Sequence, residues 1–525
     1  MNSTKKREKR FPVNIYPSLK RALSLALCLA PLLLCACEQL MPEATTVPAE
    51  PTSAPYTLPE QTITLGYAAQ DSLNPFFSAT TLNTSLVDLV YEKLYKLDGT
   101  FTPVPVIASF ANNAGTELKV NIRSDLYFSD NSNITAYDVV YSFNQARLSA
   151  LYRDKLANIT FASASGAYEV SFTLQKADAY VQNLLDFPIV KNNTANNIET
   201  PPTGSGLYTY EQDGGPRLVH NMRSALPRPG IGTIELVPVE DTSSLSYDLE
   251  TGKIDAYYTD LNTTRLSRMY ASFAQVPTGS FVYIGVNQSR YALSIQKVRQ
   301  ALSLCLGRAE VCGTAYQGNA DPAYTIFNPR WSVFTASKMN EEPYKQEYAA
   351  GSALLDELGY TSRNTAGVRT GAMGTLRFTL LINAENEYKQ EAAKMIAETL
   401  LEAGIQIEVT ALPWDQYLQA LTEGSYELYL GEVKIPANMD FSALFSEGGN
   451  AAYGIDPQST AAAYFNEYAN GSITPEAFNE KLQTELPLIP VCYRSGLVIT
   501  GKSITGNTAA LPGSLYENIH QWVTQ

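Results

Sequence analysis

The sequence predicts a fold of mixed α and β structure, and three local patterns carry that reading. Ile63-Thr64-Leu65-Gly66-Tyr67 alternates in the two-residue period of a half-buried strand. Val298, Ala301, Leu302, Cys305 and Leu306 recur at helical spacing instead. Between residues 376 and 412 the two periods follow one another as strand, helix and strand, the order of a βαβ-like unit. No internal repeat is visible.

Taken in chain order, residues 85–97 place Leu86, Leu89, Val90 and Leu94 on one face, which predicts a helix leading into the next strand. Thr135, followed three residues later by Asp138 and then by Val139, Val140 and Phe143, predicts a capped helix start. Gly204 and Gly206 allow backbone angles that side chains disfavour, which suits a tight turn before a strand over 207–210. A helix near 348–358 is expected to stop at Gly359. Residues 376–382 read as a strand and 387–403 as a helix, with Ala392, Met395, Ile396, Leu400 and Ala403 on one face. That helix meets its C-terminal glycine at Gly404. The strand over 405–412 alternates Ile405, Ile407 and Val409, so one of its faces is expected to be buried.

The first residues have a different character. Lys5, Lys6, Arg7, Lys9, Arg10, Lys20 and Arg21 precede an uncharged apolar run over 22–36, the layout of a secretory signal. The run is shorter than the ~18–20 residues a spanning helix needs. It ends in Leu34-Cys35-Ala36-Cys37, which resembles a bacterial lipobox, so residues 1–36 are expected to be a lipoprotein signal peptide and Cys37 the site of lipidation. Two acyl chains, palmitate among the candidates, suffice for stable anchoring. A secreted protein with a chance cysteine at the cleavage site is the competing reading. Residues 37–60 carry Pro42, Pro48, Pro51, Pro55 and Pro59 among Thr, Ala and Glu, a tether that reaches as far as ~60 Å at ~3.1 Å per residue.

Without residues 1–36, 31 basic and 51 acidic residues remain of 38 and 52, and the net charge moves from −14 to −20. A body this acidic is repelled by nucleic acid and by anionic lipid. After Cys37 only Cys305, Cys312 and Cys492 follow, so at least one thiol is unpaired and no disulfide framework is expected. Cys305 and Cys312, read as lying on one helix, stand about 10 Å apart along its axis, too far for a bridge unless the helix breaks. With only His220 and His520 and no Cys-x-x-Cys, no metal site is expected, and no cofactor either.

No Gly-x-Ser-x-Gly elbow or His-Glu-x-x-His is present, and an enzyme is not expected, although chance carboxylate pairs are common among so many acids. Gly496-Leu497-Val498-Ile499-Thr500-Gly501-Lys502-Ser503 fits the phosphate-loop pattern letter for letter. Its middle residues have strand composition, and Ile504-Thr505-Gly506-Asn507 begins no helix, which argues against nucleotide binding.

Nine short patterns in one order resemble the family-5 extracellular solute-binding proteins, the oligopeptide and dipeptide receptors of ABC transporters. They are Asp71-Ser72-Leu73-Asn74-Pro75; Val90-Tyr91-Glu92-Lys93-Leu94; Phe128-Ser129-Asp130; Thr135-Ala136-Tyr137-Asp138-Val139-Val140-Tyr141-Ser142; Gly204-Ser205-Gly206-Leu207-Tyr208; Glu250-Thr251-Gly252-Lys253-Ile254-Asp255; Val298-Arg299-Gln300-Ala301-Leu302 with Arg308; Leu354-Leu355-Asp356-Glu357-Leu358-Gly359-Tyr360; and Leu488-Ile489-Pro490-Val491. Together they span nearly the whole chain after the tether.

The resemblance implies a two-lobed fold of the periplasmic-binding-protein type, in its large variant with an extra domain and mixed sheets. One lobe would comprise 57–97, 200–275 and 495–525, with an inserted domain over 98–199; the other would be 276–494. It further implies a monomer that captures a peptide or similar solute in the cleft and hands it to ABC permease and ATPase subunits at the extracytoplasmic face of the membrane. In peptide-binding members a strand of the second lobe pairs with the peptide, and an Asp neutralises its amine. Here that strand matches residues 429–435, Glu432 stands in the place of a Trp, and the Asp falls at or near Ile435, leaving Glu432 or Asp440 to supply the charge.

Lys434 would favour an anionic group. Solvated strand positions are the competing reading for Glu432 and Lys434. Gly431, Glu432, Val433 and Lys434 are therefore candidate ligand contacts, with Thr80, Tyr283, Trp414, Tyr493 and Arg494; for Trp414 a core role competes. A surface lipoprotein with an adhesion or scaffold role, or a receptor for a non-peptide solute, remains as an alternative.

Overall fold

The computed structural model describes residues 61–337, 339 and 347–525; the expected signal peptide, Cys37 and the tether lie outside the described residues. An eleven-stranded sheet runs through the body. Its strands are β1 (Gln61–Tyr67), β2 (Tyr208–Glu211), β3 (Arg217–His220), β4 (Ile231–Pro238), β5 (Ala256–Thr259), β6 (Ser272–Val286), β7 (Ala320–Pro322), β8 (Arg377–Asn383), β9 (Gln406–Leu412), β10 (Leu428–Lys434) and β11 (Leu488–Thr500). Their order is β9-β8-β10-β6-β11-β5-β1-β4-β3-β2, with β7 on a flank of β11. Parallel pairs such as β1–β4 and β8–β9 sit beside antiparallel ones such as β6–β10 and β6–β11, so the sheet is mixed.

Two long strands tie the halves together. β6 and β11 run antiparallel over nearly their whole length; midway β11 changes its outer partner and β6 gains one. β11 takes β5 from Leu497 to Thr500 but β7 from Cys492 to Arg494. β6 takes β10 only from Ser280 onward, beyond a register shift between Pro277 and Ser280. Gly279 lies in that shift. A Cβ there would sit 2.0 Å from the carbonyl oxygen of Ile435, while the Gly279 carbonyl accepts the Ile435 N–H at 2.8 Å, so the close approach of two backbones excludes any side chain. β1 to β5 form the first half of the sheet and β8 to β10 the second.

In the first half the expected helix over 85–97 is corrected to α1 (Thr81–Val90). Thr80 caps it, its hydroxyl accepting the Asn83 N–H. At the other end the Val90 carbonyl, which a longer helix would offer four residues on, accepts the Gly206 N–H at 2.9 Å. The chain then enters a short strand, Tyr95–Leu97. That contact also corrects the reading of Gly204 and Gly206, neither of which has positive φ. A Cβ on Gly206 would lie 2.5 Å from the Val90 carbonyl carbon, and one on Gly204 2.1 Å from its oxygen. Gly206→Ala is expected to cost about 1–3 kcal/mol by overpacking, seen as a lower urea midpoint at unchanged slope.

Between β1 and β2 the chain forms a separate four-stranded antiparallel sheet from Ala108–Asn113, Glu117–Ile122, Glu169–Leu174 and Ile159–Ala164. The helix Ala136–Leu148 covers it, and the Asp138 carboxylate accepts both the N–H and the hydroxyl of Thr135, at 2.8 and 2.6 Å. In the second half, α2 (Gln296–Cys305) ends before Cys312, so the two thiols are not on one helix after all. The βαβ unit forms: β8 and β9 pair in parallel around α3 (Glu387–Glu402), which stops where Gly404 adopts φ +85°. The expected buried face of β9 is corrected, because β9 ends the sheet and, although Ile405 and Ile407 are buried, Val409 is 41% exposed.

Cys305, Cys312 and Cys492 are free and buried. Burial pushes the Cys305 thiol up to about 11. None of the three is expected to react with a thiol reagent in the native chain and all three after denaturation; rapid native labelling would contradict their placement. The phosphate-loop look-alike lies at the buried end of β11, its backbone held in the ladder, and the Lys502 ammonium rests over the Tyr270 ring at 4.6 Å.

Candidate functional site

The site begins at an incompletely paired strand. β8 is in register with β10 only at Leu428 and Tyr429, whereas β6 holds β10 from Leu428 to Lys434. Backbone groups alternate in direction along a strand. The Glu427 carbonyl and the Ile435 N–H point to the β6 side, where they meet the Asn287 N–H and the Gly279 carbonyl. The Leu430 carbonyl points the other way and accepts the Tyr417 hydroxyl at 3.0 Å. By the same alternation the N–H and C=O of Glu432 and the N–H of Lys434 face away from β6, onto an edge that no strand covers among the described residues. Tyr417 belongs to α4 (Trp414–Glu423), and Trp414 stacks on it at 5.8 Å while remaining 43 % exposed, so Trp414 is not a core residue here.

A row of charges crosses the sheet at the same level. Lys434, Ser280 and Arg494 are direct neighbours on β10, β6 and β11. Arg494 reaches across the small Ser280 to Glu432, its Nε and Nη2 donating to Oε1 at 2.8 and 2.5 Å. The other Glu432 oxygen faces the Lys389 ammonium at 3.3 Å. Burial alone would raise the Glu432 pKa, but Arg494 and Lys389 override it and hold the carboxyl below its ordinary value. Glu432 is thus a part-buried, ionised and fully partnered side chain rather than a solvated one. Arg494 Nη1 donates to the carbonyls of Asp260 and Leu261, which belong to the segment after β5 in the first half. Beside it the Asn386 amide donates to the Asn262 carbonyl, and the Glu387 N–H to that of Thr263.

The structure therefore brings Gly431, Glu432, Val433, Lys434 and Arg494 together, with Trp414 nearby across Tyr417. Val433 points from the opposite face into an aromatic core. Tyr283 and Tyr493 lie in that core; Tyr283 bonds the Tyr429 hydroxyl and the Ala451 carbonyl, and Tyr493 donates to the Ile326 carbonyl. The Thr80 hydroxyl is committed to Asp71 and Asn83. Sequence reasoning missed Asp260, Lys389, Asn386 and Tyr417. No spacing signals them, because 234 residues separate Asp260 from Arg494.

A cavity of about 160 Å³ lies elsewhere, where Asp178 and Tyr180 meet Asn438, Asp440 and Tyr468. Its carboxylates have partners: Asp440 accepts the Ser442 N–H and hydroxyl, and Asp178 accepts the Asn438 amide and the Tyr180 N–H. The charged row, unlike this cavity, lies on the strands that join the two halves of the sheet, and is the better candidate.

A family model described as bacterial extracellular solute-binding proteins, family 5 Middle, matches residues 102–454. Oligopeptide-binding protein AppA of Bacillus subtilis (strain 168) is 23% identical over 396 residues, covering 71% of this chain and 70% of that protein. Among solved structures, MppA, a periplasmic murein tripeptide binding protein in its unliganded open form, matches with a TM-score of 0.67 at 18% identity, over 89% of this chain and 98% of that one. NikA from Brucella suis in complex with Fe(III)-EDTA matches with a TM-score of 0.66 at 16% identity, over 88% and 100%. These likenesses show the two-lobed fold with mixed sheets.

Proposed function

We propose, from the premise that this chain belongs to the bacterial extracellular solute-binding proteins of family 5, that it is the receptor of an ABC import system and captures a peptide or similar small solute between its lobes. The observation that carries this reading is the uncovered edge of β10 beside the charged row where β11 changes its outer partner and β6 takes up β10. An open edge offers main-chain hydrogen bonds to an extended chain whatever its side chains. The lobes are assigned as 57–97 with 200–275 and 495–525, and as 276–494, with 98–199 inserted. Hinge closure reports occupancy only when the solute contacts both lobes, so a ligand held by one alone would not signal to the permease.

The chain acts as a monomer, tethered to the membrane through lipid on Cys37 and facing outward. No helix among the described residues is long and apolar enough to cross a membrane. Cys37→Ser is expected to move the protein from the membrane to the soluble fraction and to abolish incorporation of labelled palmitate; a variant that stays membrane-bound counts against the anchor.

A non-peptide solute is the second reading, favoured by Ile435, which is buried where the resemblance places an amine-neutralising Asp. Mass spectrometry of whatever co-purifies with the native protein separates the two. Solution scattering is expected to show compaction when that compound is added back. A radius of gyration unmoved by every compound recovered would remove the receptor reading.

A further inference from the structure

The charges along β10 are not equally free. Glu432 has both oxygens engaged, by Arg494 and Lys389. Arg494 uses four of its five N–H groups, two on Glu432 and two on the carbonyls of Asp260 and Leu261. These two residues, which a sequence reading offers as ligand contacts, are therefore braces that dock the segment after β5 against the second half of the sheet. Two charges remain. Lys434 is exposed and, among the described residues, has no ion-pair partner. Asp260 is half-buried, its backbone fixed by Arg494, and its carboxylate accepts only the Asn262 amide at 2.8 Å from another side chain.

Each of the two senses the other without meeting it. Burial raises the Asp260 carboxyl above its ordinary value, against the pull of Arg494 and Lys434 and with Glu432 adding to the rise. A partly desolvated carboxylate short of a cation stands on the first half, and an unpaired ammonium stands across from it on the second. We infer that Asp260 takes the ammonium group of the solute and Lys434 its anionic group, so that a dipolar solute spans the two halves over the row Lys434, Ser280 and Arg494. This deepens the receptor reading and rests on it. It places the amine contact on the segment after β5 in the first half rather than on the strand of the second, where Ile435 is buried. It also supplies the differential contact that closure requires: a solute with one charge engages one half alone.

The test is calorimetry on the full chain with Ala-Ala-Ala, N-acetyl-Ala-Ala-Ala and Ala-Ala-Ala-amide. A charge-assisted hydrogen bond is lost with each blocked end, so wild type is expected to prefer the free tripeptide by about 10–100-fold over either blocked form. In Asp260→Asn the preference over the acetylated form is expected to vanish while that over the amide persists; in Lys434→Met the reverse. The comparison within wild type needs no variant to fold, and equal affinity for all three peptides there overturns the assignment. Asp440→Asn is the control: if that change, and not Asp260→Asn, removes the penalty for acetylation, the amine sits at the cavity near Asp178 and the inference fails. If wild type binds none of the three, or of a wider set of tripeptides, the peptide reading itself falls. Binding with an acetylation penalty unchanged in Asp260→Asn removes only the role of Asp260.

Discussion

Arg494→Met, with Glu432 left in place, is expected to destabilise the chain by about 3–5 kcal/mol, measured by urea denaturation at neutral pH. The Arg494 side chain is 5% exposed, and removal of its guanidinium strips four hydrogen bonds at once. Glu432 keeps Lys389 alone as a counter-charge, and the carbonyls of Asp260 and Leu261 lose a donor. Removing both charges is a different experiment. In Glu432→Leu with Arg494→Met no carboxylate is stranded, but Lys389 loses its partner, so part of the loss is expected to return, and most of it only when Lys389→Met is added and no charge of the group is left alone. A triple variant as unstable as Arg494→Met would show that the orphaned carbonyls, not a stranded charge, dominate.

The pair also sets a pH dependence. The Glu432 carboxyl is held below its ordinary value in the folded chain, first against burial and then by Arg494 and Lys389. Its contribution to stability is therefore complete above the unfolded value of about 4.3 and is lost as the pH falls through the lower folded value. Wild type is expected to lose stability in that acidic window more steeply than the double variant. Parallel curves for the two would remove Glu432 from the account.

Arg308→Met is the second large effect, at least about 3 kcal/mol. Arg308 is 1% exposed and, among the described residues, has no ion-pair partner. Nε donates to the carbonyls of Ala323 and Pro490 at 2.8 and 2.9 Å, Nη1 to that of Ser303 at 2.7 Å, and Nη2 to the Ser303 hydroxyl at 2.9 Å. One planar fork thereby fastens the C-terminal end of α2 to β11 and to the residue after β7, with the Tyr324 ring 5.1 Å away. Burial lowers the guanidinium pKa to about 10. Arg308→Lys is expected to recover little, because a single ammonium cannot span these acceptors and starts from a lower intrinsic value. Full stability in Arg308→Lys would show that charge, rather than the geometry of the fork, is what the site requires.

Local pattern made much of this fold legible. The βαβ unit at β8, α3 and β9 is written in residues close in sequence, and Gly404 marks its turn within one residue. The helix at 85–97 failed because its end is decided by Gly206, more than a hundred residues away, which takes the Val90 carbonyl. Gly204 and Gly206 stood out for the wrong reason, since the sequence shows a glycine but not whether an angle or a neighbour demands it. At the candidate site, resemblance located β10 and Arg494, while the roles of their side chains depended on Lys389 and Asp260, which approach only across the tertiary fold. Tyr283 and Tyr493 looked like lining residues because aromatic side chains serve cores and clefts alike.

The central position of β11 has a consequence for biogenesis. Residues 488–500 are translated after almost everything they bind, yet β5, β6 and β7 all find their neighbour there. Until the ribosome has released them, β5, β6 and β7 lack that neighbour, and the unfinished chain keeps apolar edges open. A polypeptide built in this order stays threadable late into synthesis and is a hazard to itself if it lingers. A chain cut short before Leu488 would therefore be cleared or would aggregate, rather than survive as a working fragment.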